Sequence, residues 1–449
     1  MPEHKTIHSY LDTVSEQIRW QRAKSVVTAE LERHLEDQRD AFAEEGYTNP
    51  EEMAVEEMGD PVTVGTELDR IHRPKPQWGL ITITVLFALA GAILRIWLTS
   101  DFSYSSVDPF KTVLSFAIGC GALIAGYLVD YTFGAKHIRG IYIAVMILSA
   151  YFFIFSPRPM GIPFHVRYVA LFFPVLYAFL LYTCRGKGWK GLSLASAGGV
   201  PMVIICWISS YIFGGFLILL SGFVLLLYAC VNDWFGIGRL RSSTVPLGCA
   251  SVIAGVFAYQ ILHSEHILRR LAIAIYPETD PLGAGYYGVA TKHVLALSKQ
   301  LGEGTWDNSI SKFSFDRYLP HSSSDSFLTT VIFKLGWIPF CFIMLVFVAL
   351  ILWMLCRMVQ QKSQLGQLVV IAVVMTLLVQ ATCSLMWTLG ITLLSSSFPL
   401  LTGNVNMVLN MTLIGLALSV FRGDSIARNT RCEEKNAKKY RIRFVIEKI

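Results

Sequence analysis

Residues 337–356 read WIPFCFIMLVFVALILWMLC, an apolar stretch without a charged side chain. A helix of about 20 such residues crosses the roughly 30 Å hydrocarbon core of a bilayer. The stretch belongs to one of ten apolar runs in a chain that is 53% hydrophobic, with a mean hydropathy of +0.50. The runs cover residues 78–99, 110–133, 139–156, 166–184, 190–208, 211–231, 245–263, 326–356, 365–390 and 403–422. The sequence therefore predicts an all-α polytopic membrane protein with about ten transmembrane helices.

The basic residues of the short loops predict the orientation of the chain. With the N-terminus inside, nine Lys and Arg residues fall in short inner loops, and only Arg158 and Arg167 fall in short outer loops. The inner residues are Lys136, Arg139, Arg185, Lys187, Lys190, Arg239, Arg241, Arg357 and Lys362. Cytoplasmic loops carry this kind of excess. We therefore expect the cytoplasmic (inner) membrane, both termini in the cytoplasm, and a large extracytoplasmic loop over 264–325.

Residues 1–77 predict a small, acidic, cytoplasmic helical prefix domain. They hold 9 Lys and Arg against 17 Asp and Glu, a net charge of −8. Apolar residues recur at helical spacing, a helix start is expected at Pro50, and Asp60 is expected to cap the next helix. The apolar stripes are Ile7, Leu11, Val14 and Ile18, then Val27, Leu31, Leu35 and Phe42.

Residues 423–449 predict a basic cytoplasmic tail. From residue 422 onward the chain has 9 Lys and Arg against 4 Asp and Glu. One interpretation is binding to anionic lipid, which contributes about 1 kcal/mol per basic residue near the surface. The alternative is docking of this tail on the acidic domain.

Three blocks between residues 78 and 422 resemble the SEDS family (shape, elongation, division and sporulation), the FtsW/RodA/SpoVE group. Residues 277–286, PETDPLGAGY, follow Arg269 and Arg270 and are similar to the family's Asn-Pro-x-x-Asp-Pro-x-Gly-x-Gly-Tyr. Residues 398–404, FPLLTGN, resemble its Pro-Phe-x-Ser-Tyr-Gly-Gly segment. The middle block consists of Asn308-Ser309, Leu319-Pro320, Asp325 and Leu335-Gly336-Trp337, with the family's Pro-to-Asp and Asp-to-Gly spacings.

Other family motifs are altered in this chain. The family run Gly-x-Arg-Arg-Trp-Ile…Gln-Pro-Ser-Glu is reduced to residues 158–167, RPMGIPFHVR. The family's Gly-Ser-Gly-Gly is absent around 296–304, and its Glu-Glu before the Leu-Gly pair is Phe333-Lys334. The chain is therefore expected to be a divergent member.

The resemblance implies polymerisation of lipid II outside the membrane, in cell division, elongation or sporulation. It also implies a class B penicillin-binding transpeptidase and other divisome or elongasome membrane proteins as partners. The reaction needs a base for a sugar hydroxyl and positive charge for the diphosphate leaving group. Asp325 is the candidate catalytic base, although a carboxylate there could instead cap the following helix.

The remaining candidate residues lie in or near the long loop. Interfacial anchoring is the alternative for Arg269 and Arg270, and packing between helices is the alternative for Asn404. The candidate substrate-binding residues are Arg269, Arg270, Lys292, Lys312 and Asn404, and the residues expected to shape the loop are Asp280, Pro281, Gly283, Gly285 and Pro320. Arg95, near the outer end of the first span, is expected to extend its charge to the membrane surface.

No Cys-x-x-Cys or Cys/His spacing predicts a resident metal, and none of the nine cysteines lies in the long loop. A divalent cation such as Mg²⁺ bridging Asp325 and the diphosphate is compatible with these residues, although no motif requires one. No pattern predicts nucleic-acid binding. Two rival functions remain: a non-catalytic scaffold or regulator of cell-wall synthesis, which the altered motifs favour, and a lipid II flippase, which needs polar groups across the whole bilayer.

Overall fold

The structure is a computed structural model that describes residues 6–73, 77–103, 107–158, 163–306 and 314–422, without the side chains of residues 22, 257 and 261. Lys312, the Asn308-Ser309 pair and the tail 423–449 lie outside the described residues, as do parts of the run 158–167. Within the described ranges the regular structure is helical, with no β-strand. The predicted fold class is confirmed. The chain divides into two compact units.

The smaller unit contains four helices: α1 (Ile7–Gln17), α2 (Gln21–Glu44), α3 (Pro50–Met58) and α4 (Pro61–His72). All four residues of the first predicted stripe are buried in one core with Val27 and Leu35, whereas Leu31 and Phe42 are partly buried. Helix α3 begins at Pro50 as predicted, and the Asp60 side chain accepts a hydrogen bond from Thr63 N at 2.9 Å. Amphipathic stripes and caps were therefore sufficient to predict these helices.

The larger unit comprises Trp78–Gln360 and Leu365–Val420. The helices from residue 78 onward are, in chain order, α5 (Trp78–Leu98), α6 (Pro109–Leu128), α7 (Tyr131–Lys136), α8 (Ile138–Phe155), α9 (Val166–Ala170), α10 (Phe173–Thr183), α11 (Gly188–Ile208), α12 (Ile212–Val231), α13 (Arg239–His263), α14 (Glu265–Ile275), α15 (Tyr286–Ala296), α16 (Phe315–Tyr318), α17 (Phe327–Leu335), α18 (Trp337–Val359), α19 (Gln364–Thr388) and α20 (Asn404–Arg422). Among the described residues, nine of them are long and apolar enough to cross a membrane. This is a polytopic membrane protein.

Two predicted spans are interrupted, and the boundaries expected for them are corrected here. The run 166–184 forms two short helices, α9 and α10, with Pro174 in the first turn of α10. The run 326–356 is broken at Gly336, whose φ is +101°. A side chain at Gly336 would meet the carbonyl oxygen of Gln300 at 2.6 Å. The long span thus begins at Trp337, and the nine residues of α17 form a separate buried helix.

Helices α19 and α20 form the centre of the membrane unit. Most of α19 and α20 is buried, whereas α8 and α13 leave most of their apolar side chains exposed, as expected for surfaces that face lipid. Close contact between α6 and α20 depends on glycine. A Cβ atom at Gly126 would lie 2.8 Å from the carbonyl oxygen of Thr412, and one at Gly415 would overlap the carbonyl of Leu123.

Candidate functional site

Asp325 lies in a tight turn between Pro320 and α17. The backbone N–H groups of Ser324 and Ser326 donate to the carbonyl of His321 at 2.9 and 3.0 Å, and His321 has a φ of +56°. The Thr330 hydroxyl donates to the carbonyl of Ser322 at 2.9 Å. These bonds hold the turn against α17 and determine the direction of the Asp325 side chain.

The Asp325 carboxylate accepts hydrogen bonds from two serines of the segment between α19 and α20. Ser395 Oγ donates to Oδ2 at 2.5 Å, and Ser397 Oγ donates to Oδ1 at 3.0 Å. The residue that precedes α17 is Ser326, and among the described residues no side chain caps that helix end. Asp325 is therefore half-buried and oriented toward the 395–397 segment rather than acting as a helix cap.

Arg95 connects α5 to the same region. Its Nε donates to the carbonyl of Ser323 at 2.9 Å, and its Nη1 donates to Oδ1 of Asn404 at 2.5 Å. Gly91, one turn earlier, leaves room for the backbone of Leu400 and Leu401. The segment 398–404 and the Asp325 turn thus both contact the C-terminal half of α5. Asn404 takes part in this contact as the acceptor of the Arg95 guanidinium.

A small cavity of about 40 Å³ lies beside the Asp325 carboxylate. It has room for only a few water-sized molecules, so it is a recess rather than a groove for a whole lipid-linked sugar. Side chains from α9, α12, α19 and α20 surround it. The lining residues are Arg167, Leu171, Tyr211, Phe213, Asp325, Gln380, Ser395, Ser396, Ser397 and Asn406.

Gln380, which is buried, extends the polar character of this cavity into the membrane unit. Its Nε2 donates to Oδ1 of Asn410 at 2.9 Å, and Asn410 Nδ2 donates back to Gln380 Oε1 at 3.2 Å. These two hydrogen bonds pair both buried amides. Without partners, the buried amides would lower the free energy of unfolding. Asn410 therefore packs between helices, while Asn406 lines the cavity.

The other predicted loop residues lie away from this cavity. The Asp280 carboxylate accepts from Ala284 N at 3.2 Å, and a Cβ at Gly283 would come within 2.6 Å of that carboxylate. Gly285 is buried against the Pro277 carbonyl, and Pro281 is exposed in the same turn. Pro320 directly precedes the Asp325 turn. The contacts of these residues lie within the loop and help to set its conformation.

The candidate cations of the loop do not line the cavity in the described part of the chain. Lys292, on α15, donates to Glu278 Oε1 at 2.9 Å. This hydrogen bond and the ammonium charge hold the pKa of Glu278 below its usual range. Arg269 and Arg270 are exposed on α14.

Gln380, Tyr211 and Arg167 were not predicted as site residues from the sequence. Together with Ser395 and Ser397 they lie far from Asp325 along the chain and meet it only through packing of the helices. The signal that could have found Arg167 was a charged residue next to an apolar span. In the ranges that the structure describes, no group of three or more His, Cys, Asp or Glu residues is arranged to hold a metal ion.

Comparison with known proteins finds a distant similarity to a curated protein. No protein-family model matches the chain. The probable peptidoglycan glycosyltransferase FtsW of Trichlorobacter lovleyi is 22% identical over 191 residues, which are 42% of this chain and 49% of the relative. The match thus spans about half the length of this curated relative. The altered motifs described above agree with so distant a relation.

The fold has a counterpart among solved structures. A chain from a peptidoglycan synthase complex, solved to show how polymerization and crosslinking are coordinated, has a TM-score of 0.60 at 14% identity. The similarity covers 77% of this chain and 98% of the solved one. Together the fold and the Asp325 site define a polytopic membrane protein with a polar recess. The sequence blocks and the FtsW relative agree with the resemblance to the SEDS family.

Proposed function

We propose that this protein is a peptidoglycan glycosyltransferase that polymerises lipid II on the outer face of the cytoplasmic membrane. The observation that supports the proposal most directly is the Asp325 carboxylate, held by Ser395 and Ser397 beside a recess that also contains Arg167. This carboxylate is half-buried, and hydrogen bonds from two serine hydroxyls hold it in one orientation. It is therefore suited to receive a proton from a substrate hydroxyl.

In the proposed reaction, the 4-hydroxyl of a GlcNAc unit attacks the anomeric carbon of a MurNAc held on undecaprenyl diphosphate. A glycosidic C–O bond forms, the bond between the anomeric carbon and the diphosphate oxygen breaks, and the hydroxyl proton passes to Asp325. The leaving group carries the negative charge. Arg269, Arg270, Lys292, Lys312 and Asn404 remain proposed contacts of the substrate, and Asn404 also accepts a hydrogen bond from Arg95.

A divalent cation such as Mg²⁺ fits this site only with help from the substrate. Asp325 offers a single carboxylate, and the described residues hold no cluster that could complete a coordination shell. Mg²⁺ commonly binds one or two carboxylates together with substrate phosphates and waters. When bound, the ion would neutralise charge on the diphosphate.

The proposal includes a membrane partner and an orientation. The solved relative in fold belongs to a peptidoglycan synthase complex, which supports a class B penicillin-binding transpeptidase as partner here. The positive-inside bias supports cytoplasmic termini. A scaffold role is the second candidate, because the Arg-Arg-Trp and the Glu of the family run are missing from residues 158–167.

The test is polymerisation of labelled lipid II by the purified protein, with and without a partner transpeptidase. We expect polymer from wild type and a loss of about 10²- to 10⁴-fold in Asp325→Ala and Asp325→Asn, since a positioned general base contributes that much. Asp101→Asn, which alters an exposed carboxylate between α5 and α6, is the matched control and should polymerise normally. Equal polymer from wild type and both Asp325 variants would reject Asp325 as the base. No polymer from wild type, even with the partner, would favour the scaffold.

A further inference from the structure

Arg167 is the arginine that lines the Asp325 cavity, and its surroundings are unusual for a surface residue. The guanidinium carbon lies 3.5 Å from the centroid of the Phe164 ring and 5.1 Å from that of Tyr168. One end of the guanidinium is bound, because its Nη2 donates a hydrogen bond to the Tyr168 hydroxyl at 3.2 Å. The Nε atom is buried and has no hydrogen-bond partner among the residues that the structure describes. The guanidinium is therefore fixed by aromatic packing while part of its donor capacity is unused.

The position of Arg167 depends on the short helix that carries it. The His165 N–H donates to Ser156 Oγ at 2.9 Å, and that oxygen lies 2.8 Å from His165 Nδ1. These contacts close the connection between α8 and α9 and set where α9 begins. Leu171, just after α9, packs with Phe213 and Val379 in one core. The position of Arg167 beside the cavity is therefore fixed by the contacts of α9 and its flanking residues.

Asp325 does not bind the Arg167 guanidinium directly. Both residues line the same cavity, yet no ion pair within 4.0 Å joins them in the described part of the chain, and the Asp325 oxygens accept from Ser395 and Ser397. A buried guanidinium N–H without an acceptor raises the free energy of the folded state. An anion entering the cavity would supply the missing acceptors. Guanidinium groups bind phosphate oxygens in a forked geometry that suits this role.

We propose that Arg167 binds the diphosphate of the lipid-linked sugar donor in the Asp325 cavity. The identity of the donor rests on the proposed function; the anion-binding role rests on the contacts above. In this proposal Arg167 and Asp325 have different roles in the reaction. Asp325 receives the proton of the attacking hydroxyl, and Arg167 holds the group that leaves with the negative charge.

The test measures binding rather than polymerisation, so that it can fail independently of the proposed function. Undecaprenyl diphosphate and undecaprenol are titrated into the full-length protein in detergent, and tryptophan fluorescence reports the dissociation constants. We expect Arg167→Gln to weaken diphosphate binding about tenfold or more, to leave undecaprenol binding unchanged, and Arg167→Lys to be intermediate. Arg158→Gln is the matched control: its guanidinium lies 5.2 Å from the Phe153 ring, is exposed and does not line the cavity. It should bind like wild type.

Three results would overturn the proposal. The first is unchanged diphosphate affinity in Arg167→Gln, or no preference of wild type for the diphosphate over undecaprenol. The second is an equal loss of undecaprenol binding, which would indicate a damaged cavity. The third is displacement of the diphosphate by an equal concentration of phosphatidylglycerol, which would indicate a general phospholipid site. Binding that depends on Arg167 in a protein that forms no polymer would retain this inference and reject the proposed enzyme.

Discussion

At the scale of single residues, the carboxylate of Asp325 is positioned by hydroxyl groups from a distant part of the chain. Ser395 and Ser397 bind its two oxygens separately, so each serine restricts one direction of rotation. A hydrogen bond to a charged group contributes about 1.5–3 kcal/mol. These serines are positioning residues, because they act through Asp325 in the proposed reaction.

Replacing both serines by alanine should therefore slow polymerisation of lipid II about tenfold to a hundredfold, while the Michaelis constant changes less. Initial rates over a range of lipid II concentrations would measure both quantities. Ser396→Ala is the control, since Ser396 lines the cavity but makes no hydrogen bond to Asp325 among the described residues. A double variant with the wild-type rate would contradict the positioning role.

At the scale of elements, the membrane unit depends on two kinds of glycine. Gly336 ends α17 in a conformation that other residues seldom adopt, and so separates the Asp325 region from the long helix α18. Gly126 and Gly415 instead permit backbone contact between α6 and α20. Small residues at such contacts allow membrane helices to approach closely.

Gly126→Leu should lower the thermal unfolding midpoint of the detergent-solubilised protein, with a loss of about 1–3 kcal/mol, because the side chain would collide with the α20 backbone. Gly121→Leu on the same helix is the control: a Cβ there meets nothing within 4 Å. Both changes alter helix propensity equally, so their difference reports the packing. Equal midpoints for the two variants would show that α6 and α20 are not in close contact.

At the scale of the whole molecule, the small unit has its own buried acid. Asp69 accepts from the backbone N–H of Arg19 at 3.0 Å and from Arg73 Nη2 at 3.1 Å. Burial alone would raise the pKa of Asp69, but these hydrogen bonds and the charge of Arg73 outweigh burial, and the pKa is lowered. Asp69 therefore joins α4 to the connection between α1 and α2.

Because the folded-state pKa of Asp69 lies below the unfolded value of about 3.9, its contribution to stability is complete above about pH 5 and is lost as the pH falls through the lowered pKa. We expect Asp69→Asn to remove this contribution at pH 7. Hydrogen exchange of the α1 and α4 amides in the full-length protein, corrected for intrinsic rates, would show reduced protection. Asp12→Asn, at an exposed position of α1, should not change it. Undiminished protection in Asp69→Asn would contradict the assignment.

The membrane class, the helical content and the helices of the small unit could all be predicted from the amino-acid sequence. Apolar length, apolar periodicity and caps are local properties, and each acts through neighbours a few residues away along the chain. The same is true of Asp325, whose spacing to Pro320 and Gly336 singled it out. Where local signals were incomplete, as in the runs 166–184 and 326–356, the span boundaries were wrong because Pro174 and Gly336 interrupt apolar sequence without altering its hydropathy.

Which side chains share the site depends on the packing of distant parts of the chain. Arg95 and Ser323 are 228 residues apart, and Ser397 and Asp325 are 72 residues apart. No spacing along one helix can predict such a meeting, because it depends on how α5, α9 and α19 pack around one another. The partners of Lys292 and Asn404 were decided in the same way. Charge and polarity indicate which residues could take part in a reaction, and the packing of the helices determines which of them lie in the same site.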